Sequence, residues 1–564
     1  MVQTKKLTLR ALLFSSSPKL LSFAIILSMF SGVLYALIIP TILSGLDPSY
    51  DFILGNQFKD DIQNIFFGLI TLVLLTKTTS VVLVNNLAKL AVAGLRVELS
   101  KKINMMDVAQ VEKTGLPKLL NVLTEDMSRV TGASVAIPMM LVSAVTAIGM
   151  LVYLAVLDLH IFGYTLLTIV IGLFLFQYPV SKTEKHYSKA RDLRDVMQEG
   201  FRGLIFGAFE LKLDKKKSER FIKNELEEPI IGSVKAEIRG DYILHLAGNG
   251  SEMLAFVAIG LVVFILPKGV GFEHHNLYGV VMALLYITGP IAAILALLQS
   301  LKIGEISLAK INEIYAIDVA DEQSSIKINK DWKQLILSDI KYSYAIEEHS
   351  FSISKINLTL DRGQTYFIVG GNGSGKSTLS KVISMHYLAD EGQMSFDDQV
   401  IDINSLEAAR NQIFVIYSNY YLFNTIYKDL SEVDLALVDK YLKLFQLEDK
   451  TKLVGNEFTT VKLSDGQRRR LALIVALAED RDIYILDEWA ADQDPQFKDL
   501  FYDSVLPDLK AAGKTVIAIT HDDRYFSYCD EVIKMEDGQI VDIVHHAKGH
   551  KTAKTEKAAI SYSA

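Results

Sequence analysis

The sequence predicts an α-helical membrane domain followed by an α/β domain built around a phosphate-binding loop. Three observations predict this. Almost all the long apolar runs lie before residue 300. From Leu335 onward, short β-branched and aromatic runs alternate with helical stretches, as strands and helices do in an α/β domain. One of those short runs opens into a glycine-rich turn and a helix start, TYFIVGGNGSGKSTLSKVI. The 564 residues exceed one ordinary core, so a division is expected. Its boundaries are read as 1–304 for the membrane part, 305–334 for a linker, 335–545 for the α/β part and 546–564 for a polar tail.

Six apolar runs make up the membrane part: Leu20 to Leu43, Ile62 to Val84, Ala136 to Leu157, Leu159 to Val180, Ile243 to Leu266 and Leu277 to Leu298. Each is close to the ~20 residues that a helix needs to cross hydrocarbon. The first follows Lys5, Lys6 and Arg10. It is longer than the apolar region of a signal peptide and has no small-residue cleavage site, so it is read as a retained anchor.

Orientation follows from the loops. Lys89, Arg96, Lys101, Lys102, Lys113 and Lys118 lie between runs two and three. Lys182, Lys185, Arg191, Arg194, Arg202 and Lys215 to Lys217 lie between runs four and five. Such basic loops stay in the cytoplasm. The opposite loops, Asp47 to Asp61, Asp158 and Pro267 to Asn276, are short and poor in basic charge, and are expected outside. Lys77 in run two and Glu252 in run five sit at membrane depth, where a charge must snorkel, reach an interface or face a polar cavity. Both are candidates for lining a substrate cavity. Gly289-Pro290 in run six predicts a kink.

Composition excludes some functions. The 58 Lys+Arg are outnumbered by 66 Asp+Glu, for a net charge of -8, so nothing suggests nucleic-acid binding. The single cysteine, Cys529, cannot form an intrachain disulfide. No zinc-type spacing of Cys and His is present; His274 and His275 are merely adjacent. The tail from His546 holds four lysines and one glutamate and reads as solvated.

The glycine-rich turn carries the chemistry. Gly370, Gly371, Asn372, Gly373, Ser374, Gly375, Lys376, Ser377 and Thr378 form the P-loop pattern between a strand and a helix. In that pattern backbone N–H groups wrap phosphates, the lysine supplies a point charge and the serine hydroxyl ligates Mg²⁺. A nucleotide with Mg²⁺ is therefore expected; P-loops serve GTPases, kinases and motors alike, and the motifs that follow choose ATP. Further on, LSDGQ precedes a helix, and Ser464 with the Gly466 amide makes a second anion site at the helix start. The apolar strand Ile483 to Leu486 then delivers Asp487 and Glu488 to the sheet edge, and Thr515 to Thr520 is a similar strand ending at His521.

These motifs, in this order, resemble the ABC transporter superfamily over nearly the whole chain. LSDGQ resembles the signature motif, with Asp465 at the position of its usual first glycine and Gln467 closing it. TVIAITHDD resembles the switch-histidine strand, and Asp494 matches the D-loop aspartate. Tyr344 resembles the aromatic that stacks on adenine, with Tyr342 as the alternative register. Ser418 stands where the superfamily normally has a glutamine that senses Mg²⁺ and the membrane domain; Gln412 lies six residues earlier.

The six runs, two long cytoplasmic loops and C-terminal ATPase resemble a type IV exporter half-transporter. LPKLLNVLTEDMSRV and FGAFELKLDKKKSE are expected to contain its two coupling helices. DEWAADQDP, GAFELKL and the Ser418 replacement resemble the bacterial group that exports cyclic peptides and siderophores or their precursors. The resemblance implies a homodimer in the bacterial inner membrane, with ATP held between the P-loop of one copy and Ser464 of the other. It further implies Asp487 on Mg²⁺, Glu488 as the base that polarises water, His521 on the γ-phosphate and Lys376 on the transferred charge. A peptide-like cargo is the expected substrate. The alternatives are a lipid or drug exporter and a membrane-bound regulatory ATPase.

Overall fold

The computed structural model describes residues 7–46, 61–265, 277–317, 319, 326–346, 349–491 and 493–546. The chain forms two compact units. One comprises residues 1–100 and 120–317, the other residues 101–119 and 318–564. The second unit thus recruits a short segment from between the apolar runs.

In the helical unit, α1 (Leu9–Ser16) and α2 (Pro18–Leu46) are followed by α3 (Ile62–Asn104). After the recruited segment, α4 (Val108–Thr114) and α5 (Leu116–Asn121), come α6 (Met127–Leu157), α7 (Leu159–Phe206), α8 (Ala208–Leu213), α9 (Lys215–Phe221), α10 (Glu228–Gly260) and α11 (Leu277–Tyr315). Among the described residues, five helical spans are long and apolar enough to cross a membrane: Pro18–Leu46, Ile62–Asn104, Leu116–Leu157, Leu159–Phe206 and Tyr278–Tyr315. The remaining expected run falls on α10, whose apolarity is diluted by His245, Asn249 and Glu252 and which continues toward residues outside the described set. Helix α11 is assigned without a break through Pro290.

Small residues let these helices approach closely, as they must where lipid offers no hydrophobic drive for helix association. A Cβ on Gly149 of α6 would lie 2.6 Å from the Ala36 Cβ on α2, and one on Gly304 of α11 would lie 2.1 Å from the Ala133 Cβ on α6. Hydroxyls add hydrogen bonds across helices. Ser80 Oγ on α3 donates to the Ala24 carbonyl on α2 at 2.9 Å, and Thr146 Oγ1 on α6 reaches the Gly32 carbonyl at 3.3 Å. Asn312 of α11 bonds both the N–H and the C=O of Leu7, each at 2.9 Å, tying the start of the described chain to this unit.

In the second unit the order is β1 (Gln334–Ile346), β2 (His349–Asp361), β3 (Thr365–Gly370), α12 (Lys376–Ile383), β4 (Glu391–Phe396), β5 (Gln399–Val400), α13 (Leu406–Arg410) and β6 (Ile413–Ile416). It continues with α14 (Glu432–Leu444), β7 (Leu453–Val454), β8 (Glu457–Phe458), α15 (Asp465–Glu479), β9 (Ile483–Asp487), α16 (Pro495–Leu500), α17 (Leu506–Ala511), β10 (Thr515–Ile519), β11 (Glu531–Glu536) and β12 (Gln539–His545). The main sheet has the order β12-β11-β3-β10-β9-β6, and a four-stranded sheet has the order β2-β1-β4-β5. In the main sheet β11, β3, β10, β9 and β6 run parallel, with β12 antiparallel at the edge.

Strands β9 and β10 are buried along their whole length, and β3 along Thr365 to Ile368, because both faces are covered, as expected of a parallel sheet. Phe367, Tyr484 and Leu486 enter one core with α14 and α15, while Tyr366, Ile368, Ile483 and Ile485 enter another with β1, β2 and α12. Ligands bind such sheets beyond the carboxyl ends of their strands. The ends of β3, β9 and β10 are neighbours there.

Candidate functional site: the nucleotide site at three strand ends

The phosphate loop leaves β3 through backbone conformations that side chains rarely adopt. Gly370 has φ 155°, Gly373 80° and Gly375 98°. A Cβ on Gly370 would lie 2.3 Å from the Met535 carbonyl oxygen, so this position has room only for hydrogen. Lys376 is buried and folds back over the loop, its Nζ donating to the carbonyls of Gly370 at 3.0 Å and Gly371 at 2.8 Å. Gly371, Asn372 and Gly373 are exposed, Thr378 is half-buried, and the buried Ser374 hydroxyl has no hydrogen-bond partner among the described residues.

Asp487 ends β9 and is 3% exposed. Burial pushes its carboxyl above the ordinary range, opposed chiefly by a hydrogen bond from Ser377 and by the charges of Lys376 and Lys381; Glu488 adds to the rise. Asp487 and Ser377 thus set hard oxygen donors side by side next to the loop. Such a donor set suits Mg²⁺, which takes one or two protein oxygens beside phosphates.

Glu488 lies just beyond the strand with φ 54°. Its N–H donates to the Ile519 carbonyl of β10 at 3.2 Å. Its carboxylate is half-exposed, 3.4 Å from His521 Nε2. Lys376, Ser377, Asp487, Glu488 and His521 therefore come together at one place, although 145 positions separate the first from the last.

Sequence alone left Trp489 without a role. It is 2% exposed, packs against Phe445 and Phe501, and donates from Nε1 to the Arg469 carbonyl at 2.8 Å. Arg469 donates in return to the Glu488 carbonyl at 2.6 Å. The segment after β9 is thereby pinned to α15. Arg470, also buried, lies 3.6 Å from the Phe497 ring centroid and donates to the Phe445 carbonyl at 2.9 Å. The triple arginine after LSDGQ thus includes two internal struts, a use that a charge run does not advertise.

Ser464 caps α15. Its hydroxyl accepts from the Gln467 N–H at 3.5 Å, and the Gln467 Oε1 accepts from the Ser464 N–H at 3.1 Å, a reciprocal capping box. The Gln467 side chain is committed to that cap, and Gln493 donates to the Gly466 carbonyl at 3.1 Å. The Asp465 side chain is 90% exposed. Among the described residues no hydrogen bond brings Ser464, Gly466 or Gln467 to the phosphate loop of the same chain. Asp494 starts α16 and is exposed. Ser418 is exposed beyond β6.

Other expected residues stand apart. The Tyr344 backbone pairs with Phe351 in β1 and β2, and its side chain lies outside the described set. Tyr342 is 8% exposed and stacks on Tyr387 with centroids 4.7 Å apart, so it is committed to the core. Lys77 Nζ lies 5.1 Å from the Tyr35 ring centroid, a cation–π contact between α3 and α2. Glu252 belongs to α10, with its side chain outside the described set.

The helical unit holds a cavity of about 450 Å³ between α7, α10 and α11. Its polar lining comes from Thr165, Thr168, His245, Asn249, Thr288 and Gln299, and no Asp, Glu, Lys or Arg is among its described lining residues. His245 and Asn249 sit one turn apart on α10, in the stretch that dilutes its apolarity.

Residues 353–491 match the family described as ABC transporter. The chain is 31% identical over 559 residues to the ATP-binding protein SyrD of Pseudomonas syringae pv. syringae, covering 96% of this chain and 97% of that protein. It is 24% identical over 497 residues to an ATP-dependent lipid A-core flippase of Albidiferax ferrireducens, covering 81% of each. Its fold is similar to the solved structure of a bacterial Atm1-family ABC exporter with ATP bound, with a TM-score of 0.73, 13% identity and coverage of 93% of this chain and 94% of that one. A phosphate loop, an acidic strand end and a histidine brought together in one unit, a second unit of long apolar helices, and likeness along almost the full length place this chain in the ABC transporter family as an exporter half-transporter whose ATPase drives transport.

Proposed function

We propose that two copies of this chain form a homodimer in the bacterial cytoplasmic membrane and export a peptide-like molecule, such as a cyclic peptide or a siderophore or its precursor. The observation that carries the cargo reading is the cavity between α7, α10 and α11. It is apolar with interspersed amides and hydroxyls and has no described charged side chain in its lining. Such a surface matches a neutral, amide-rich amphipathic molecule, whereas phosphorylated headgroups call for arginine or lysine partners. The motifs DEWAADQDP and GAFELKL support the same reading.

Two features favour the dimer. Ser464 is capped on its own helix instead of bonded to the phosphate loop of its own chain. Phe206, Phe209 and Leu213, on and beside the short helix α8, are 82%, 85% and 88% exposed, an apolar patch that suits burial against a second copy.

In the ATP cycle, the loop amides and Lys376 would hold the phosphates, with Tyr344 against adenine. Ser377 and Asp487 would hold Mg²⁺, which supplies charge neutralisation on the phosphates. Glu488 would take the proton of the attacking water, oriented by His521. Ser464 and Gly466 of the partner copy would close the site near Asp494.

Inside-out vesicles containing the full chain test the cargo reading. A labelled neutral cyclic lipopeptide is expected to accumulate with ATP, while a labelled phospholipid is not moved between leaflets. Movement of the phospholipid alone would favour the lipid reading. ATP turnover with neither molecule moved would count against the peptide reading.

A further inference from the structure

The short helix α4 belongs to the ATPase unit, although the chain on both sides of it, up to residue 100 and from residue 120, belongs to the helical unit. Any movement of the ends of α3 and α6 must therefore act on this segment. Three sets of contacts hold it. Asp107 faces Arg410 of α13 at 3.5 Å. Val108 and Ala109 pack on the core beneath the phosphate loop. Glu112 takes the Lys381 ammonium on Oε1 at 3.0 Å and the Tyr387 hydroxyl on Oε2.

The third set differs in where it leads. Lys381 lies on α12, the helix that begins at Lys376, one turn beyond Ser377. Its Nζ also donates to the Tyr387 hydroxyl at 2.8 Å and sits 4.6 Å from that ring. The Lys381 and Glu112 side chains are only 23% and 33% exposed, so water screens the pair weakly. At the end of α12, Ser384 shares a hydrogen bond of 2.7 Å with the hydroxyl of Tyr417, the residue before Ser418. Ser418 itself makes no side-chain hydrogen bond among the described residues. The position that usually carries a reaching glutamine thus holds a short side chain in solvent, while an acidic side chain from α4 reaches the phosphate-loop helix directly.

We propose that Glu112 is a positioning residue that couples the membrane helices to the nucleotide site, acting on the phosphate-loop helix α12 through Lys381 and Tyr387 in place of the contact that Ser418 is too short to make. The Glu112 carboxylate contributes a charged acceptor to two donors at once, so rotation of α4 changes the load on α12 at a point one turn from the metal-binding serine.

The test uses the full chain in lipid vesicles. Leu159→Cys, at the exposed start of α7, is spin-labelled, and the distance between the two copies is measured by pulsed EPR with and without Mg-ATP and vanadate. This readout rests on the proposed homodimer. A defined distance between two labels in the parent establishes that reading separately, and the lack of any such distance would overturn the dimer; a distance that Mg-ATP and vanadate leave unchanged in the parent would overturn this inference alone. Glu112→Ala and Tyr387→Phe are each expected to keep ATP turnover within about twofold while the ATP-driven population falls about tenfold, a typical size for coupling between sites. The double variant is expected to be no worse than Glu112→Ala, because the two groups share one contact. Glu112→Gln, which retains an oxygen acceptor, should recover part of the response. An unchanged distance response in Glu112→Ala and Tyr387→Phe, or additive losses in the double variant, would overturn the proposal.

Discussion

Trp489 donates its indole N–H to the carbonyl of Arg469 at 2.8 Å, and the Arg469 guanidinium donates to the carbonyl of Glu488 at 2.6 Å. Glu488, held at φ 54°, is thus fixed from its own carbonyl as well as from its N–H on β10. Trp489→Phe keeps an aromatic against Phe501 but removes the indole donor from the Arg469 carbonyl, at about 1 kcal/mol of stability. Turnover is expected to fall about tenfold with the KM for ATP unchanged, since a small displacement of a catalytic group costs rate more than binding. Steady-state kinetics with a thermal melt check both; a fall in stability with full turnover would show that the indole serves packing alone.

Glu488→Gln tests the proposed base. An amide keeps the shape of the side chain beside His521 but cannot take a proton from water, so hydrolysis should fall by about 100-fold or more. ATP affinity, measured by equilibrium binding, should stay near that of the parent. Turnover near the parent rate would reassign the base.

Gly304→Leu tests the crossing of α11 and α6. With the Ala133 Cβ already 2.1 Å from a Cβ built at that position, a larger side chain must push the helices apart, costing about 1–3 kcal/mol. Gly94→Ala on α3 is the control, because its added Cβ meets nothing within 4 Å and alanine favours a helix. Thermal unfolding of the purified chain in detergent should show a loss for the first and none for the second.

Cys529 gives a pH-dependent signature. Burial pushes its thiol up to about 12 from an ordinary value of 9.0. Between those values the folded chain keeps a proton that the unfolded chain releases, so this group's contribution to stability declines as pH rises through that window. A thiol reagent at pH 8 should leave the folded chain unmodified and label one cysteine after unfolding. Cys529→Ser should remove the contribution. Rapid labelling of the folded chain would contradict the burial.

Much of the nucleotide site was legible because its parts are local. GGNGSGKS dictates its own backbone path, and the four consecutive apolar residues Ile483 to Leu486 force β9 into the sheet, so Asp487 emerges at its end. LSDGQ likewise carries its own helix cap. The segment 101–119 was less legible. Its helix α4 lies just before LPKLLNVLTEDMSRV, and nothing in the seven residues VAQVEKT tells that Val108 and Ala109 pack on the core of the ATPase unit.

The sequence by itself determined the apolar spans, the phosphate loop and the order of the strand ends, because hydrophobic period and backbone conformation are properties of neighbouring residues. Tertiary structure alone decided what Trp489 and Arg469 fasten, that Tyr342 is committed to the core, and that Glu112 meets Tyr387, 275 positions away. Those contacts depend on how sheet and helices close around their cores, and side chains so distant in sequence become partners only when burial lowers the cost of holding them together.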